Sequence, residues 1–105
     1  MTTRTSSALK QAFKRFVELV KRIEDVQYVV AFEDEEPEIS TYITKLDEAV
    51  MLEVIHAEIP ILEEFPDLPV EFHVWTLEGR PIEALIGELP PLAYAKGEPP
   101  RKLTA

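Results

Sequence analysis

His73 stands two residues from Glu71 and two from Trp75 in the run Val70–Leu77 (VEFHVWTL). An extended chain alternates its side chains, so all three share one face. A carboxylate beside an imidazole fixes its tautomer and raises its basicity, the setting of a general base or a metal ligand. A second store of chemistry is the acidic run Glu33, Asp34, Glu35, Glu36 and Glu38. Clustered carboxylates are the hard oxygen ligands that Ca²⁺ and Mg²⁺ require, but this run lacks the glycine and the alternating ligands of an EF-hand loop. It reads as a solvated hairpin tip, and no metal is assigned to it. His56 has Glu53 near it on a helical segment and reads as a surface residue.

Other chemistries are excluded by residue type. There is no cysteine, hence no disulfide scaffold, no cysteine-ligated zinc and no thiol nucleophile. Serine occurs only as Ser6, Ser7 and Ser40, none of them in a strand–turn–helix nucleophile setting. Gly79, Gly87 and Gly97 are isolated, so neither a Walker loop nor a dinucleotide fingerprint can be built. The sequence therefore assigns no catalytic residue and no cofactor. Tyr42, His73 and Trp75 remain as candidate ligand or interface residues.

Charge is divided unevenly along the chain. Residues 1–23 carry six basic groups (Arg4, Lys10, Lys14, Arg15, Lys21, Arg22) against Glu18, a balance of +5, while the rest sums to −14. A net charge of −9 repels nucleic acid, so a nucleic-acid partner is not expected. The cationic flank Lys10, Lys14 and Lys21 is expected instead to pack against acids of the second helix or of the Glu63–Asp67 connector. No stretch approaches the roughly 20 apolar residues of a membrane span. The polar N-terminus has no signal-peptide pattern, so a cytoplasmic location is the expectation.

The elements that must position these groups follow from periodicity. Leu9, Ala12, Phe13, Phe16, Val17, Val20 and Ile23 form one helical stripe, with Ser7 as its cap. Val26–Glu33 and Glu38–Thr44 read as two strands joined by the Asp34–Pro37 turn. A second helix starts near Leu46, capped by Thr44 or by Asp47 itself. It carries Ala49, Val50, Leu52, Ile55, Ile59 and Leu62 at helical spacing and runs with a kink at Pro60 to about Glu64. Val70–Leu77 is a third strand, Pro81 opens a short helix to about Ile86, and Leu92–Lys96 is a candidate edge strand.

The resulting fold class is α+β. The element order gives a two-layer sandwich, helix–strand–strand–helix–strand followed by a short helix and an edge strand. Two helices lie on one face of a three- to four-stranded mixed sheet, with the third strand beside the first. Residues 1–6 and 96–105 read as tails around a single domain at 7–95. The other sheet face carries Val29 and Ala31 with Tyr42, or Tyr28 and Phe32 with Ile39 and Ile43, plus Trp75 or Phe72. Large apolar groups on an uncovered face predict a partner, most simply a second copy of the chain. The leading expectation is thus a small non-catalytic interaction or regulatory protein, a homodimer through its sheet. The competing one is a small hydrolase or metal-dependent enzyme using His73, Glu71 and hairpin carboxylates, which requires those groups to converge.

Overall fold

A computed structural model describes residues 3–97, with side chains from residue 7 onward. The outermost parts of both sequence-read tails, residues 1–2 and 98–105, lie outside the described residues. Seven elements follow in order: α1 (Thr3–Val20), β1 (Val26–Phe32), β2 (Glu38–Ile43), α2 (Glu48–Glu64), β3 (Glu71–Thr76), α3 (Ile82–Ile86) and β4 (Leu92–Ala95). They form an α+β sandwich in which α1 and α2 pack on one face of a four-stranded mixed sheet. No helix among the described residues is long and apolar enough to cross a membrane.

The stripe of α1 is the backbone of the core. Leu9, Ala12, Phe13, Phe16 and Val20 are buried, and the Phe16 ring meets Phe72 of β3 at 5.1 Å between centroids. The helix begins at Thr3, ahead of Ser7. Its last turn carries no basic residue. The negative end of the helix is met from across the fold, where Lys96 Nζ donates to the Lys21 and Ile23 carbonyls at 3.2 Å each. This anchors the end of β4 to α1.

The ion pair with α2 is made not by the expected flank of Lys10, Lys14 and Lys21 but by Arg15, on the other side of the helix. The Arg15 guanidinium forks onto the Glu64 carboxylate at 3.2–3.3 Å, while Lys21 pairs with Glu18 on its own helix. Lys10 and Lys14 are exposed. An exposed pair of this kind fixes how the two helices meet more than it stabilises them, and salt weakens it.

Asp47 is the cap of α2, accepting from Ala49 N at 3.0 Å and Val50 N at 3.3 Å. Asp47→Ala is expected to cost about 1 kcal/mol, lowering the melting temperature by roughly 4–8 °C in a domain of this size. Asp47→Asn, which keeps an acceptor at the cap, should melt close to the parent. The helix continues through Pro60 to Glu64. Pro60 has no N–H, so the carbonyl of exposed His56 is left for water.

Strand order is β3-β2-β1-β4, which corrects the expected placement of β3 beside β1. β3 lies parallel to β2, pairing Glu38 with Glu71 through Ile43 with Thr76, and Glu71 N donates to the Pro37 carbonyl at 2.9 Å. The short, proline-stiffened connector after α2 returns the chain directly beside the strand it left. That leaves the far edge of β1 to β4, which pairs with it antiparallel.

The face assignment is also corrected. An irregularity in the β1–β2 ladder between Val26 and Tyr28 shifts the alternation along β1. Val29, Ala31, Ile39, Ile43, Phe72 and Val74 all turn toward the helices. Tyr28, Val30, Phe32 and Tyr42 turn to the outer face, where Ile82, Leu85, Ile86 and Leu89 from α3 and its flanks cover part of them.

Candidate functional site

The uncovered part of the outer face lies over β2 and β3, and their parallel register builds it in rows. Glu38 is opposite Glu71, Ser40 opposite His73, and Tyr42 opposite Trp75. The imidazole of His73 stacks on the Trp75 ring, with centroids 5.7 Å apart and planes 26° from parallel. Trp75 Nε1 in turn donates to Ser40 Oγ at 3.3 Å, so the indole that flanks the imidazole is itself held. His73 Nε2 sits 3.4 Å from Glu71 Oε1 and 3.9 Å from Glu38 Oε1. One ligand atom from each of Glu38, Glu71 and His73 lies within 4.8 Å of the others.

Beside this cluster a cavity of about 440 Å³ runs beneath α3. Glu38 and Trp75 form its border with the cluster, Ser40, Tyr42 and Arg80 give it polar groups, and Phe32, Leu85 and Ile86 give it an apolar wall. Burial, reinforced by the Glu38 carboxylate, pushes the Tyr42 phenol above its ordinary range, and a hydrogen bond with Ser40 pulls it partly back. Tyr42 is therefore a neutral hydroxyl at physiological pH. Arg80 is held at the rim, donating to the Leu77 carbonyl at 2.9 Å and the Thr76 carbonyl at 3.1 Å.

All three candidates read from the sequence thus come together, Tyr42 and Trp75 lining the cavity and His73 next to it. Of the acidic run, Glu38 joins His73 and Glu71, while Glu33–Glu36 are exposed at the β1–β2 connection. His56 lies on α2, on the opposite side of the sheet, and takes no part. The alternation of β3 was enough to place Glu71, His73 and Trp75 on one face. Glu38 enters only because β3 docks against β2, which alternation along a single strand does not reveal.

The structure corrects a second surface. The apolar stripe expected to pack α2 into the core is in large part its solvent face. Leu52 (54%), Ile55 (42%), Ile59 (48%) and Leu62 (47%) are exposed, while Val54 and Ile61 are buried and Val50, Met51 and Ala57 pack beside them. The helix is apolar on both sides, so helical spacing alone could not say which seam faces the sheet.

Comparison with protein-family models, curated proteins and solved structures finds no match to this chain.

Proposed function

We propose that this chain is a small interaction protein that self-associates as a two-fold dimer through the solvent face of α2. The observation that carries the reading is the exposed seam Leu52, Ile55, Ile59, Leu62. Its steps of three, four and three residues are those of a coiled-coil seam. Both the spacing and the residue types read the same in either direction. An antiparallel copy related by a two-fold axis therefore matches every layer, Leu52 against Leu62 and Ile55 against Ile59. The four side chains expose on the order of 400 Å² of apolar surface, the scale at which patches on soluble proteins mark contacts. The outer sheet face, expected from the sequence as the contact, is half roofed by α3 and is the weaker choice.

The charges set the strength. α2 carries Glu48, Glu53, Glu58, Glu63 and Glu64 and no lysine or arginine, and each protomer has a net charge of −9. Two such surfaces repel at low ionic strength, so association should strengthen as salt rises, opposite to a contact made of ion pairs. The test is molar mass by light scattering across concentration and salt series. The parent is expected to move from monomer toward dimer, faster in salt. The double variant Ile55→Asp with Ile59→Asp is expected to stay monomeric with an unchanged circular dichroism spectrum, because both positions are solvent-exposed in the single chain. A parent that remains monomeric at its highest soluble concentration in high salt rules the reading out.

A further inference from the structure

We propose that Glu38, Glu71 and His73 bind a single divalent transition-metal ion, with Zn²⁺ as the best fit, on the outer face of the sheet. The site shares no residue with the α2 seam, although Glu58 beside that seam feels the charge of His73.

Three ligating atoms converge here from two strands, and no hydrogen bond links them to one another. The 3.4 and 3.9 Å separations from His73 Nε2 are long for hydrogen bonds. They suit ligands around a common centre. With metal–ligand bonds of about 2.1 Å, the edges of a tetrahedral site are about 3.4 Å. One edge already has that length, and the carboxylates, half-exposed on flexible stems, need only small rotations to close the others.

The repulsion in the row points the same way. Glu38 and Glu71 are directly opposite in register, and like charges at opposite positions destabilise a strand pair. A protonated imidazole offers one N–H at Nε2 and cannot bond to both carboxylates. A divalent cation neutralises both and accepts the imidazole nitrogen as well. One nitrogen and two carboxylate oxygens form a mixed ligand set that favours Zn²⁺ over Ca²⁺ or Mg²⁺, which prefer all-oxygen shells. Stacking on Trp75, itself tethered to Ser40, holds the ring plane. Three protein ligands leave a position open, and Glu38 borders the cavity as well as the cluster, so that position is available to water or a small oxygen-donor ligand there.

Trp75 is the chain's single tryptophan, so its fluorescence reports on this site alone. The chelator-stripped chain is titrated with Zn²⁺ by calorimetry and with Co²⁺ by fluorescence quenching. One equivalent of Zn²⁺ is expected to bind, with Mg²⁺ and Ca²⁺ far weaker, and Co²⁺ is expected to quench Trp75 saturably. His73→Gln and Glu38→Gln should each weaken binding by about tenfold or more and abolish the saturable quenching. His56→Gln should leave both unchanged. The half-exposed glutamine variants should keep the parent's circular dichroism spectrum, which separates lost binding from lost fold. Absence of one-site binding in the parent overturns the proposal. So does a His73→Gln variant that binds like the parent, or binding that disappears with His56 instead.

Discussion

Replacing Phe16 by alanine is expected to remove about 3–5 kcal/mol of stability. The side chain is fully buried and touches both layers, packed within its helix stripe and against Phe72 of β3. Truncation loses the transfer energy of the ring and leaves a cavity that neither a helix nor a paired strand can collapse to fill. A domain of this size has only about 5–15 kcal/mol in total, so the variant should lie near the edge of folding. Urea unfolding followed by circular dichroism is the measurement. The midpoint should fall sharply while the slope stays the same, because the surface exposed on unfolding is little changed. Leu62→Ala provides the contrast. It removes an apolar side chain from the solvent face of α2 and should change the monomer's stability by less than about 0.5 kcal/mol. If the two variants cost the same, the burial assigned to α1 is wrong.

That contrast also marks where reading the sequence succeeds and where it stops. The stripe of α1 was legible because only one side of that helix is apolar. Leu9, Ala12, Phe13, Phe16 and Val20 could go nowhere but inward. On α2 the same reasoning failed, since two seams compete. Val50, Val54, Ala57 and Ile61 repeat in steps of four, three and four, Leu52, Ile55, Ile59 and Leu62 in steps of three, four and three, and both are good helix faces. Only the sheet decides which is buried. The strands repeat the lesson. Both faces of β1 and β2 are apolar enough for a core, and which residues of the two strands share a face depends on the hairpin register, Tyr28 opposite Tyr42 and Ala31 opposite Ile39, so the predicted sets mixed inward and outward residues. At the site, β3 was read correctly as a unit, with Glu71, His73 and Trp75 together. The arrival of Glu38 depends on strand order, a long-range property that two apolar faces leave open. The cavity depends on α3 folding over the outer face, a long-range contact that periodicity along the chain does not reveal.

Glu58→Gln is expected to stabilise the chain above neutral pH and to do nothing for it in mild acid. Burial against the sheet pushes the Glu58 carboxyl from its ordinary 4.5 up to about 7, with His73 opposing the rise. In the folded chain the group therefore holds its proton through a range where the unfolded chain has released it. Between those two values the folded state binds more protons, so stability falls as pH rises through the window and is constant above it. Taken alone, the shift corresponds to about 3 kcal/mol at 1.36 kcal/mol per unit. Partial solvation of the side chain reduces this to roughly 1–2 kcal/mol. Glutamine carries no charge to desolvate, so the variant should gain that amount at pH 8 and match the parent near pH 4.5. Both should be compared in dilute, chelator-treated solution, because Glu58 flanks the α2 seam and is coupled to His73 at the proposed metal site. A parallel series with His73→Gln separates the contributions. Without the imidazole the lowering influence on the folded-state value of Glu58 is gone, and the upper end of the fall in stability should move to higher pH while its start stays where it is. A parent whose stability is flat from pH 4.5 to 7 would mean that water reaches the Glu58 carboxylate freely, and that α2 sits farther from β3 than the packing of Val54 and Ile61 requires.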